Sequence, residues 1–332
     1  MNAVQIILDV IIAAFFAASL IPLIREQTWW LRAWTYARLQ IFWIMFGLLV
    51  AYLVLFGLGA PREWAATFLM VVTLGICLWD ILPFTPLMPV QVRMSPPDEP
   101  GHPVSLIAAN VLMDNDAAQG LTTMIDNRDP DIVFLVETNQ DWADRLSGLM
   151  DRYEHSYLLP LEDYNGMLLY SRYPIRNPQI RYLVQDHIPS ITADLEIAPG
   201  RTVRFYGLHP RPPRPEDNTA DLDNELLFIA NETAHCVEPV IVTGDLNDVG
   251  WSSTTRKFLR ISGLKDPRKG RGLFNSYNAK NPIVRWPLDH FFHSSHFALR
   301  TMSRGPAFGS DHFPIYIELN LLGHEYDRAE TA

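Results

Sequence analysis

Three stretches near the N-terminus, residues 3–24, 41–60 and 64–82, are long and apolar enough to cross a bilayer as helices. About 20 apolar residues span the hydrocarbon core at the helical rise. Within that core only a helix or a closed barrel satisfies every backbone N–H and C=O. The first stretch carries only Asp9, near its start; the second has no charge; the third has only Asp80, near its end. A cleavable signal peptide would account for the first stretch alone, but no basic segment precedes it and two further spans would remain. Trp29, Trp30, Trp34 and Tyr36 fall between the first two spans, where an interfacial aromatic belt belongs. The expectation is a multi-pass protein of the cell membrane with three transmembrane helices and the lipid bilayer as a partner.

An odd number of spans puts the N-terminus and the C-terminal part on opposite sides. Residues 25–40 hold Arg25, Arg32 and Arg38, which by the positive-inside rule places that loop, and with it the C-terminal part, in the cytoplasm. Arg62 in the next loop pulls the other way, so the side stays open. Cys77 and Cys236 are too far apart in character to imply a disulfide framework and read as packing residues.

Charge separates the two parts. Residues 1–93 hold five arginines against four acids, which leaves 22 basic and 33 acidic residues of the chain's 27 and 37 for the remainder. The remainder is an acidic, soluble-type sequence long enough to bury one large core. Seven prolines across residues 83–103 read as an extended, semi-rigid linker. The predicted organisation is a membrane domain over 1–82, that linker, a domain over 104–320 and a tail over 321–332.

Past the linker, strand patterns at 104–109, 131–136, 167–170, 191–197, 202–208, 240–243, 288–292 and 314–319 mix with helical ones at 117–127, 142–150 and 221–235. Strict alternation is missing, so the fold class is α/β, a layered sandwich of two mixed sheets flanked by helices.

Polar residues gather at the ends of these strands. Asn110, Glu137, His209, Asp245 with Asn247, Asp289, and the pair Asp311-His312 all fall there. Strand ends of a packed sheet hold side chains rigidly while their tips stay open, which is where ligand sites collect. Each residue also has a structural role open to it: Glu137 as a helix cap, Asp245 as a turn-former, Asn110 in a turn.

The ordered set Asn110-Val111-Leu112, Val136-Glu137, His209, Gly244-Asp245-Leu246-Asn247, Leu288-Asp289-His290 and Gly309-Ser310-Asp311-His312 resembles the motifs of the endonuclease/exonuclease/phosphatase (deoxyribonuclease I-like) superfamily. That group includes nucleases, inositol polyphosphate phosphatases and neutral sphingomyelinases, and a bacterial membrane-anchored subgroup is the nearest in layout. The resemblance implies a hydrolase of phosphoesters that depends on Mg²⁺, with Mn²⁺ a substitute. It implies Asn110, Glu137 and Asp311 as metal-side residues and Asp245 as the group that activates water. Asn247 and His209 become phosphate contacts, and His312 a charge-stabilising imidazole held by Asp289. Abasic-site nucleases carry a carboxylate two residues after the asparagine, and Leu112 stands there instead, which counts against that branch.

Other chemistries fit less well. Ser310-Asp311-His312 is no hydrolase triad, because neighbours on an extended chain point to opposite faces, and the sequence has no G-x-S-x-G elbow. His290, His293 and His296 fit a closed zinc site poorly, since the period of two on a strand sends His293 to the face opposite the other two. Arg268, Lys269 and Arg271 read either as a solvated loop or as a basic substrate loop. Three functions stay open: a nuclease-like phosphodiesterase, a lipid or small-molecule phosphodiesterase or phosphatase at the membrane surface, and a tethered module that binds without catalysis. The acidic balance weighs against nucleic acid, the anchor favours lipid, and the intact motif set speaks against a decayed site. No protein partner can be inferred.

Overall fold

The computed structural model describes residues 3–23, 28–212 and 219–323. Arg25, the end of the first expected span and most of the 321–332 tail lie outside them. The chain divides into two compact units, residues 1–89 with 213–220, and residues 90–212 with 221–332.

The first unit contains α1 (Ala3–Leu20), α2 (Trp29–Tyr36), α3 (Arg38–Phe56) and α4 (Pro61–Ile81). Three stretches, Ala3–Leu23, Arg38–Phe56 and Pro61–Phe84, are long and apolar enough to cross a membrane. Trp29 and Trp30 sit on the short α2 with exposed rings. The few charges in these helices have partners. Asp9 accepts from Tyr52 Oη at 3.0 Å and pairs with Arg62. Arg38 is buried, donates to Ser19 O at 2.7 Å and pairs with Asp80 at 2.8 Å. Arg38 is therefore part of a helix-packing contact and not a free loop charge, which thins the arginine count behind the cytoplasmic assignment.

The second unit starts at Val90, well before the prolines end. Val92 is buried in its core, Met94 forms a bridge with Leu299, and Ser95 N donates to Leu299 O at 2.7 Å. The stretch 83–103 is thus not one free linker; its second half is laid along a sheet. The elements that follow are β1 (His102–Asn110), α5 (Ala118–Arg128), β2 (Ile132–Val136), α6 (Gln140–Arg145), β3 (His155–Leu159), β4 (Met167–Ser171), β5 (Ile175–Tyr182), β6 (Pro189–Ala198) and β7 (Arg201–Gly207). Then come α7 (Ala220–Thr233), β8 (Val240–Asp245), α8 (Ser253–Ser262), β9 (Asp289–His293), β10 (Phe297–Arg304) and β11 (Ile315–Leu321).

The strands form two mixed sheets, one in the order β10-β11-β1-β2-β4-β3 and one in the order β5-β6-β7-β8-β9. The α/β sandwich flanked by helices is the architecture the sequence pattern implied. Side-chain alternation explains why the strand sequences are apolar throughout. Leu106, Ala108, Ile132 and Phe134 face the second sheet, while Ile107, Ala109, Val133 and Leu135 face outward into a core under α5 and α6. On the other sheet Ile241 and Phe291 point inward, and Val240, Val242 and Phe292 pack with α7 and α8. Phe134 and Phe205 meet edge-to-face across the two sheets, 5.5 Å between centroids.

Each sheet contains one parallel pair, β1 with β2 and β7 with β8. A parallel pair brings two C-terminal strand ends side by side, so residues 110, 137, 209 and 245 are delivered to sheet ends by topology alone. Truncating the contact between sheets tests the packing. Phe134→Ala should lower unfolding stability by about 3–5 kcal/mol, read as a lower urea midpoint at an unchanged slope.

Candidate active site

Asn110 closes β1, and its amide joins the two sheets. Its Nδ2 donates to Glu137 Oε1 at 2.7 Å and to Asp245 Oδ2 at 3.0 Å, while its Oδ1 accepts from Leu112 N at 3.0 Å. Glu137 follows β2 directly in a left-handed conformation (φ 58°), which turns its side chain over the strand end. The helix-capping role open to Glu137 is taken by Asn139, whose Oδ1 accepts from Trp142 N at 3.1 Å.

Asp245 ends β8 and uses both carboxylate oxygens. Oδ1 accepts from Asn247 N at 2.9 Å, a local turn that sets Asn247 at φ 49°, and Oδ2 faces the site. Asn247 Nδ2 donates one of its two hydrogens to Pro210 O at 3.0 Å. Gly244 makes this approach feasible: its φ is 134°, and a Cβ there would lie 2.0 Å from Leu208 O. His209 Nε2 lies 3.8 Å from both Glu137 Oε1 and Asp245 Oδ2.

The antiparallel pairing of β8 with β9 sets Asp289 directly opposite Asp245. Like charges in that register repel, and His312 sits between them. Its Nδ1 is 2.7 Å from Asp289 Oδ2 and its Nε2 is 3.5 Å from Asp245 Oδ2. Ser310 positions the imidazole by accepting from His312 N and donating to Asn110 O, both at 2.9 Å. Ser276 positions the aspartate, its Oγ accepting from Leu288 N at 3.2 Å and Asp289 N at 3.0 Å.

The charge states follow from these neighbours. Burial alone would push His312 down, but Asp289 and Asp245 outweigh it and hold the imidazole up at about 10, so it is a cation at neutral pH. Burial pushes the Asp289 carboxyl up, and the adjacent His312 overrides that to leave it below its ordinary range. Asp245 is raised by burial, with His312 and His209 only partly opposing. Glu137 is also raised, by burial first and in part by Asp311. His209 is lowered by burial and is therefore neutral.

Glu137, His209 and Asp245 each place one ligand atom within 4.8 Å of the others, as do Asp245, Asp289 and His312. Asp311 stands outside both groups; its half-exposed carboxylate acts on Glu137 and His312 electrostatically. Among the described residues neither Glu137 nor Asp311 pairs with a lysine or arginine. Two neighbouring carboxylates with no lysine or arginine partner, one of them mostly buried, are a donor set that suits a hard divalent cation.

All eight predicted site residues thus lie at one end of the sandwich. The reading missed Ser276, Ser310 and Tyr277, whose ring centroid lies 5.0 Å from that of His312. A buried serine after a long loop has no sequence signature; Ser310, inside the final motif, was the one within reach. His290 and His293 are buried and engaged elsewhere: His290 Nδ1 is 2.7 Å from Arg268 and Nε2 is 2.8 Å from Asp248 O, and His293 Nδ1 is 2.8 Å from Ser294 O. Arg268 is no loop charge of either expected kind. It is fully buried in a pair with Asp266 at 2.7 Å, and Arg271 donates to the carbonyls of Pro267 and Val92.

Two mixed sheets with carboxylates and imidazoles gathered at the strand ends define the α/β sandwich of the phosphoester hydrolases. The chain belongs to the Endonuclease/Exonuclease/phosphatase family, whose family model matches residues 107–312. Among solved structures it is similar to D. rerio TDP2 complexed with single strand DNA product, at 17% identity and a TM-score of 0.55, over 66% of this chain and 99% of that one. It is similar too to the human Nocturnin catalytic domain with bound sulfate anion, at 19% identity and a TM-score of 0.54, over 66% and 93% of the two chains. A third, an endonuclease/exonuclease/phosphatase family protein from Bacteroides thetaiotaomicron, shows 17% identity and a TM-score of 0.54, over 67% and 99%. At these identities the likeness is one of fold. No curated protein matches the chain.

The serine supports carry a testable cost. Ser276→Ala leaves the buried N–H groups of Leu288 and Asp289 without their acceptor. Stability should fall by about 1–3 kcal/mol in denaturant unfolding, more than a surface Ser→Ala change would cost.

Proposed function

We propose that this protein is a divalent-cation-dependent phosphoester hydrolase, anchored to the membrane by its three N-terminal helices and cleaving phosphodiesters by in-line attack of water. The observation that carries this reading is the imidazolium of His312, fixed between Asp289 and Asp245 beside the Asn110–Glu137 pair.

Phosphoryl transfer needs charge stabilisation and alignment more than covalent chemistry. Asp245, raised by burial, is the base that takes a proton from the attacking water as the new P–O bond forms and the ester P–O bond breaks, and the leaving oxygen takes its proton from solvent water. His312 stays protonated through neutral pH and faces the negative charge that builds on the phosphoryl oxygens. Asp289 holds that imidazole by Nδ1, which leaves Nε2 directed into the site. His209 and Asn247 are phosphate contacts on the second sheet's side. Glu137 with Asp311, and Asn110 on the metal side orienting Glu137 through Nδ2, is the set that would hold Mg²⁺ or Mn²⁺; when bound, the cation supplies Lewis-acid stabilisation to the phosphoryl group. Nuclease-like cleavage is the first reading by family. The three apolar helices favour the second, a lipid or small-molecule phosphoester cut at the membrane surface.

The detergent-solubilised chain should hydrolyse bis(p-nitrophenyl) phosphate with Mg²⁺ and lose that activity in EDTA. No hydrolysis of this ester, plasmid DNA, RNA, sphingomyelin or phosphoinositides at any metal concentration would end the enzyme reading. His312→Ala should lower kcat by about 10²–10³, and a variant retaining full kcat removes His312 from the mechanism. Asp289→Asn should lower kcat with little change in KM, since it acts through His312 and not on the substrate.

A further inference from the structure

Between α8 and β9 the chain folds back beside His312. Tyr277 and Trp286 form an antiparallel bridge, and their rings stack 5.9 Å apart at an interplanar angle of 14°. Tyr277 also bridges to His312. The residue after His312 is Phe313, fixed by its N–H donating to Ser276 O at 2.8 Å. Two guanidinium groups lie over the Phe313 ring, Arg285 at 4.9 Å and Arg304 at 4.2 Å from its centroid.

These two arginines are partnered unlike most others in their unit. Arg145, Arg152, Arg172, Arg176, Arg181 and Arg204 each pair with a carboxylate. Arg285 donates only to the carbonyls of Asn278 and Ala279, at 3.0 and 3.4 Å, and Arg304 only to Asn275 O at 2.9 Å. Neither meets an acid among the described residues. Partial burial and the charge of Arg285 both push the Arg304 guanidinium down, as two like charges held close together require. In a unit carrying 11 more acids than bases outside the first 93 residues, two adjacent uncompensated cations are a site for an anion. A guanidinium has five N–H donors in a planar fork that matches phosphate. Arg285 and Arg304 keep donors to spare, and the Phe313 ring together with the carbonyls they bond holds both groups in place.

We infer that Arg285 and Arg304, set over the Phe313 ring, bind a second phosphate of the substrate, the one next along a nucleic-acid strand from the scissile phosphodiester. This rests on the hydrolase reading for the location of the scissile group, but not for the binding itself. The adjoining Tyr277–Trp286 stack favours a nucleotide over a lipid headgroup, because it sets aromatic surface beside the phosphate track.

The test is binding without turnover. Fluorescence anisotropy of a labelled single-stranded oligothymidylate with the full-length chain in detergent and EDTA should give a Kd that rises about tenfold for Arg285→Ala and for Arg304→Ala. The slope of log Kd against log salt should fall by roughly 0.7 per arginine removed. Lysine at either position should restore the salt slope but only part of the affinity, since it returns the charge without the fork. Circular dichroism of each variant checks that it is folded, and Arg176→Ala serves as a distant charge control. A Kd and slope unchanged within twofold overturn the inference, as does a loss seen only on vesicles containing phosphatidylinositol bisphosphate. Parallel hydrolysis of bis(p-nitrophenyl) phosphate, which has one phosphate, separates the two readings. Intact hydrolysis with unchanged oligonucleotide binding sinks the subsite alone, and absent hydrolysis with arginine-dependent binding sinks the hydrolase alone.

Discussion

Two aspartates set opposite each other on paired, buried strands are an arrangement a sheet resists, and the site exists because His312 resolves it. With Asp245 and Asp289 in register, the imidazolium between them converts a repulsion into a three-group ion cluster. Everything nearby serves that geometry. Ser310 ties the His312 backbone to the end of β1, and Ser276 ties the Asp289 backbone to the loop that precedes β9. Asn110 meanwhile spans the gap between sheets from Glu137 to Asp245. The cost of burying so much charge is offset because each group has a neighbour of opposite sign or a hydrogen bond, the condition under which buried ionic networks persist.

A second buried network stands behind the first. Asp266 pairs with Arg268, Arg268 reaches His290 Nδ1, and His290 Nε2 reaches Asp248 O. A guanidinium only donates, so Nδ1 of His290 must accept, and the proton sits on Nε2. Burial and the charge of Arg268 hold His290 down at about 3, consistent with a neutral ring serving as a fixed brace. The brace joins β9, which carries Asp289, to the loop after Asp245 and Asn247. Strand register and loop position are therefore fixed by the same imidazole.

The apolar helices, most central strands and the polar strand ends were legible in the sequence because each is a local pattern. Strands buried on both faces read as continuous apolar runs, and the site residues follow them directly. β3, β5 and β10 were not legible, and all three are edge strands: β3 is partly exposed along its length, β5 contains Pro178 and half-exposed positions, and β10 ends in mostly polar residues. The packed half of the proline stretch was hidden for a different reason. Its hold on the sheet comes from Leu299, some 200 positions away, and from no property of its own residues. Arg268 is the same case, since only the fold reveals that Asp266 and His290 enclose it.

The long spans of chain between contacting groups have a consequence for biosynthesis. Asn110 and Asp245 are 135 residues apart in sequence, and the Ser310 hydroxyl that supports His312 lies 200 residues beyond the Asn110 carbonyl it bonds. β11, the last strand in sequence among the described residues, is inserted between β10 and β1. Contacts of such separation close late in folding, after the entropy of the intervening loops has been overcome. A nascent chain emerging from the ribosome therefore carries scattered carboxylates but no assembled centre. The candidate site can therefore assemble only once the segment leading into β11 has been made, and a product truncated before Asp311 would lack both Asp311 and His312.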